Sequence, residues 1–90
     1  MSTKQKKKQS VPKWFQGTIY DKGESVTNPF SGETYTLNGI ELSMYDFIMG
    51  SQYVMEVAPK TVTSKQINDF HKALRWFQQN NIDAYMVLLD

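Results

Sequence analysis

Few side chains in this 90-residue sequence are of types and spacings that could do chemistry. Asp69 and His71 are the nearest approach to an acid–base pair, but they lie two residues apart in a predicted helix and so do not face each other. Ser31 precedes Gly32 in "NPFSGE", which is typical of a turn rather than of a nucleophile elbow. The sequence has no cysteine and one histidine, which excludes thiolate metal sites and leaves no visible metal cluster. We therefore predict that the protein is not an enzyme and needs no metal or cofactor.

Lysines at the N-terminus are the second candidate for chemistry, because a basic arm can contact nucleic-acid phosphates. Residues 1–13 contain five lysines and no acid, whereas residues 14–90 contain five bases and nine acids. Residues 1–12 have too few apolar side chains to order themselves, so we predict a disordered arm followed by one domain over 13–90. The arm is either a solubilising tail or a non-specific nucleic-acid contact. The candidate contacts are Lys4, Lys6, Lys7, Lys8 and Lys13.

Two helices are predicted at 39–57 and 64–80, because both begin with a capping box. Asn38 is followed three residues later by Glu41, and Thr63 by Gln66. Pro59 ends the first helix near Val57. Asn80 and Asn81 favour a left-handed stop for the second.

Short strands are predicted before the helices, at 13–20, 25–28 and 33–37, and turns separate them. They form a three-stranded antiparallel meander, which makes the domain an α+β fold. The C-terminal run "IDAYMVLLD" is either a short helix capped by Asp83 or a buried strand.

The first helix carries apolar residues on two faces. One is the predicted core face, whose members are Ile40, Met44, Phe47, Ile48, Ser51, Val54 and Met55. The other, called here the second stripe, comprises Leu42, Tyr45, Met49 and Tyr53, flanked by acids and glutamine. The second stripe is more core, or a contact surface rich in Tyr and Met, or the wall of a small-molecule pocket. Trp76, on the polar side of the second helix, is either half covered by its neighbours or an anchor for a partner.

The stretch "VTNPFSGETYTLNGIELSMYDFIMGSQYV", with "ALRWFQQNNIDAYMVLLD" near the end, resembles small proteins encoded by marine cyanophages. The resemblance covers roughly residues 14–90 and carries no assigned binding residues. It implies a viral protein made in a bacterial cytoplasm. The sequence also lacks an apolar run of about 18 residues and the apolar core of a signal peptide, which predicts a soluble cytoplasmic protein with no membrane partner.

The leading prediction is a non-enzymatic interaction protein that binds a host or virion protein, or itself, through the second stripe and Trp76. The alternative is a nucleic-acid-binding protein that uses the lysine arm.

Overall fold

The computed structural model describes residues 9–90. In this part of the chain, a β-hairpin is followed by three helices. The elements are β1 (Glu24–Thr27), β2 (Thr34–Leu37), α1 (Gly39–Val57), a 3-10 turn (Pro59–Thr61), α2 (Ser64–Asn80) and α3 (Ile82–Leu88). The chain is therefore α+β, as predicted, and none of the described helices is long and apolar enough to cross a membrane.

The sheet in the described residues has two antiparallel strands rather than the predicted three. Val26 pairs with Tyr35 in the register. These two side chains are half-buried, while the hydroxyls of the flanking Ser and Thr pairs meet on the exposed side at 2.9 and 3.0 Å. One face thus packs on the core and the other faces solvent, as expected for an antiparallel hairpin.

The predicted strand at 13–20 is wrong. Trp14 and Phe15 are consecutive yet both pack against the core, which a strand cannot do because its neighbouring side chains point to opposite faces. Their rings contact the ring of Phe47, with centroids 6.1 and 5.4 Å away. The segment then crosses α1 at Gly39, where a Cβ would lie 2.5 Å from the carbonyl oxygen of Tyr20.

Both predicted capping boxes are confirmed, and α1 and α2 have the predicted bounds. The C-terminal segment is a helix, but its cap is Asn81, whose side chain accepts from the backbone N–H of Ala84 at 3.1 Å. Asp83 instead lies in the first turn of α3. The predicted left-handed stop is also wrong, because Asn81 has an extended φ of −158°. The Asn81 side chain caps α3, and a capping residue has a non-helical backbone.

The core lies where α1, α2, α3 and β2 meet. Its fully or nearly buried members are Phe15, Leu37, Met44, Ile48, Phe70, Ala73, Phe77, Ala84 and Leu88. Val54, a predicted core residue at the margin of α1, is exposed.

Residues 9–12 lie against this domain, since Val11 packs on the core and Gln9 makes hydrogen bonds to α1. Residues 1–8 of the predicted disordered arm lie outside the described residues, as do Lys4, Lys6, Lys7 and Lys8.

Candidate functional site

The side of α1 that points away from the core is apolar over the helix's C-terminal half. Met49, Tyr53 and Val57 follow one another at intervals of four residues, so they lie along one face. Their exposed fractions are 37%, 65% and 60%. Gly50 and Val54 adjoin them and are also exposed. We call these five residues the outer face of α1. An amphipathic helix usually presents polar residues on this side.

The second stripe predicted from the sequence is divided between the core and this face. Leu42 and Tyr45 are half-buried and pack against the core, and burial raises the pKa of the Tyr45 phenol. Met49 and Tyr53 are exposed. Glu41, one of the acids that flank the second stripe in the sequence, is buried. Val57 was missed, although its position four residues after Tyr53 was a sufficient signal.

Gly50 lies in the middle of the outer face. A Cβ built at this residue would meet no atom of another segment within 4 Å, so no packing among the described residues requires glycine here. Glycine in a helix interior is less favourable than alanine by about 1 kcal/mol. The outer face therefore contains a destabilising residue that leaves the α1 backbone uncovered.

Asp46 marks the N-terminal edge of the outer face. Its carboxylate accepts a hydrogen bond from the Tyr20 hydroxyl at 3.2 Å, and its negative charge is the main cause of the raised pKa of Tyr20. The Tyr20 backbone N–H donates to the Ser43 hydroxyl at 2.8 Å, and that hydroxyl donates to the Gly39 carbonyl. These bonds hold the crossing segment over the first half of α1, so the apolar surface begins only beyond it.

Trp76 lies on α2, half-buried, with its ring 5.7 Å from that of Phe77 in an edge-to-face arrangement. Because α2 packs on the core side of α1, the structure does not bring Trp76 onto the outer face.

A second feature is a polar cleft of about 780 Å³ between the N-terminus of α1 and the junction of α2 and α3. Buried Glu41 is one of the residues that line it and accepts three hydrogen bonds. The donors are the Asn38 backbone N–H at 3.0 Å, Gln9 Nε2 at 2.8 Å and Asn81 Nδ2 at 2.9 Å. A buried carboxylate with this many donors is satisfied without a ligand. The Glu41 carboxylate thus links the start of α1 by hydrogen bonds to Gln9 and to Asn81 at the α2–α3 junction.

Residues that could have formed other sites do not come together. Asp69 is buried in an ion pair with Lys65 at 2.7 Å, while His71 is exposed. Ser31 Oγ accepts from the Glu33 N–H at 3.2 Å inside the hairpin turn. Lys13 is exposed. Within residues 9–90, no three His, Asp or Glu side chains are grouped to hold a metal ion.

Comparison with known proteins gave no match to a family model, to a curated protein or to a solved structure. The fold and surface of the chain itself are therefore the basis for a functional proposal.

Proposed function

We propose that this protein is a non-enzymatic interaction protein that self-associates through the outer face of α1. The observation that supports this proposal is the continuous exposure of Met49, Tyr53 and Val57 on the side of α1 opposite the core. Tyr and Met are enriched at protein interfaces, where one supplies a large ring with a polar tip and the other an adaptable chain.

The size of the chain supports the same proposal. A domain of about 80 residues has a small core, and many such domains gain stability by oligomerisation. Full burial of an exposed Met or Val side chain contributes about 1.5–3 kcal/mol. Two copies meeting face to face would remove both sets of side chains from water. These residues form the centre of an interface rather than a whole one, so we expect reversible association.

Replacement of both Met49 and Tyr53 by serine tests the proposal. The double variant should retain the helical circular dichroism of the wild type, because neither side chain is in the buried core. Its dissociation constant, measured by sedimentation velocity over a concentration series, should rise at least about tenfold. Met86→Ser is the matched control, since Met86 is 60% exposed but lies on α3. The proposal fails if the double variant and the control associate as the wild type does.

A host or virion protein is the alternative partner for the outer face, and the cyanophage resemblance favours it. If the wild type is monomeric and captures such a protein, and the double variant does not capture it, the result would favour that partner.

Nucleic-acid binding through the lysine arm is a second candidate, and the segregation of charge in the sequence favours it. Deletion of residues 1–8 removes four of the five candidate lysines and spares Gln9. Affinity for random DNA, measured by mobility shift, should disappear with this deletion and weaken steeply with salt.

The melting temperature should stay unchanged when residues 1–8 are deleted. Deletion of residues 1–12 should lower it, because Gln9 and Val11 contact the domain. Binding that survives either deletion would transfer the site to the domain.

A further inference from the structure

We infer that two copies of this chain pair through antiparallel α1 helices that cross at Gly50, with Tyr53 of each copy packed over Gly50 of the other. This inference rests on the proposed self-association and specifies its geometry.

The first observation is the space above Gly50. A residue without a side chain on an exposed helix face lets another backbone or a large side chain approach closely. Apart from its chain neighbours and the adjacent α1 backbone, no atom of residues 9–90 lies within 4 Å of an added Cβ, so these residues leave the space open. Gly50 is flanked by the exposed side chains of Met49, Tyr53 and Val54. A notch results that is apolar on the α1 side. It opens into a cleft of about 570 Å³ bordered by residues 16–18 and the start of α2.

The second observation is that the outer face is complementary to itself. Tyr53 protrudes less than one helical turn from the notch at Gly50, with 65% of its surface exposed. In a two-fold symmetric contact, residue i of one copy meets residue j of the other, and j meets i. An antiparallel crossing between these positions seats each Tyr53 ring in the notch of the partner subunit. Each copy therefore contributes one Tyr53 ring and one Gly50 notch, and the dimer contains two identical contacts between a ring and a notch.

The third observation is charge. α1 contains no basic residue, and two exposed acids border the outer face, namely Asp46 at its N-terminal end and Glu56 beside Tyr53. In the antiparallel crossing, Gly50 of one copy lies opposite Tyr53 of the other. Asp46 precedes Gly50 by four residues and Val57 follows Tyr53 by four, so Asp46 lies opposite Val57 of the partner subunit. The exposed Lys60 lies three residues beyond Val57, in the Pro59–Thr61 turn. A parallel pairing would instead set Asp46 beside Asp46. The charges thus favour a second copy in the antiparallel orientation.

The protein's own N-terminal arm is a poor occupant for this face. Residues 1–8 are mainly lysine and polar residues, which cannot replace water over Tyr53 and Val57 favourably.

Gly50→Ala in the full chain tests the inference, because it should change stability and association in opposite directions. Alanine is the better helix former, so the melting temperature of the monomer should rise by about 4–8 °C. That temperature is measured at a concentration below the dissociation constant, where association does not contribute. The added methyl group fills the notch, so the dissociation constant should rise about tenfold. Gln52→Ala, at an exposed position on the other side of α1, should change neither markedly.

The outcomes separate the inference from the proposal on which it rests. If Gly50→Ala stabilises the monomer and leaves the dissociation constant unchanged, the crossing at Gly50 is wrong although the outer face still associates. If the wild type does not self-associate at all, the proposed function fails and the inference with it. If Gly50→Ala destabilises the monomer, the space above Gly50 is already filled and the inference is wrong.

A charge exchange tests the antiparallel orientation. Lys60→Asp should weaken association, since it sets two acids against each other, and Asp46→Lys added to it should restore the wild-type dissociation constant. A double variant that associates no better than Lys60→Asp alone would overturn the antiparallel pairing.

Discussion

Glu41 shows how one side chain can join distant parts of a small chain. Its carboxylate accepts hydrogen bonds from residues 9 and 81, which are separated from it by 32 and 40 positions. The side chain is only 5% exposed, and its charge is balanced by amide donors rather than by a basic group. Each of these donors replaces a water molecule that the side chain gives up on burial, so the buried oxygens remain hydrogen-bonded. The contact therefore supports the fold.

Glu41→Gln should lower the free energy of unfolding by about 1–3 kcal/mol, because an NH₂ group would replace one acceptor oxygen and face a donor, either the Asn38 N–H or the amides of Gln9 and Asn81. Chemical denaturation measures this loss. Glu56→Gln makes the same chemical change at an exposed position of α1 and should stay within about 0.5 kcal/mol of the wild type. Equal stability of the two variants would contradict the account of Glu41.

Tyr45 provides a pH test of its placement against the core. Burial raises its pKa above the ordinary value of 10.0, so the folded state favours the protonated phenol. The unfolded chain loses its proton first as pH rises past 10, and the contribution of Tyr45 to stability therefore falls above that pH. It is fully present below pH 10.

Between about pH 9 and about pH 11, the free energy of unfolding should therefore fall less for Tyr45→Phe than for the wild type. Chemical denaturation at both pH values measures this difference. The Asp46 charge raises the pKa of Tyr20 in the same direction, so part of the alkaline loss should remain. Tyr53→Phe, at a position that is exposed in the single chain, is the control, provided that both variants are measured below the dissociation constant. An unchanged pH dependence in Tyr45→Phe would place this ring in solvent, as a contact surface requires.

At the scale of elements, the two capping boxes give a paired prediction. Asn38→Ala and Thr63→Ala should each lower the free energy of unfolding by about 1 kcal/mol, because each removes an acceptor for a helical N–H group. Asn38→Ala should lose more, since Asn38 Nδ2 also donates to Gln9 Oε1 at 2.9 Å. Thermal melts of both variants measure the difference. If both melt as the wild type does, the caps contribute nothing to stability.

The helices could be predicted from sequence because their start signals are local. Asn38 with Glu41, and Thr63 with Gln66, span four residues each, and both boxes form. The strand at 13–20 could not be excluded in this way. Its aromatic and β-branched composition is typical of a strand, but contacts of Trp14 and Phe15 with Phe47, more than 30 residues away, decide its conformation.

The candidate site could be predicted only in part, for the same reason. Helical periodicity identified Met49 and Tyr53, and the structure exposes both. The same periodicity placed Leu42 and Tyr45 beside them, but the tertiary fold packs these two against the core. The burial of Glu41 and the open space above Gly50 depend on distant segments, so no local pattern indicates them.

At the scale of the whole molecule, residues 9–90 cover one side of α1 and leave the side chains of Met49, Tyr53 and Val57 on the other side exposed. The crossing segment with Trp14, Phe15 and Tyr20 reaches the first half of α1 through ring contacts and hydrogen bonds. The remaining helices pack on the core side. Among residues 9–90, no segment lies over the exposed side chains of Met49, Tyr53 and Val57, whereas Gly50 and Val54 border a cleft that residues 16–18 and the start of α2 complete.

The mass of the wild-type protein in solution tests self-association most directly. Sedimentation equilibrium over a range of concentrations should show a weight-average mass that rises from the 10.4 kDa of one chain toward twice that value. Tyr53→Ser should remain near the mass of one chain over the same range while keeping the helical circular dichroism signal. A wild-type mass of 10.4 kDa at every concentration would contradict self-association through the outer face of α1.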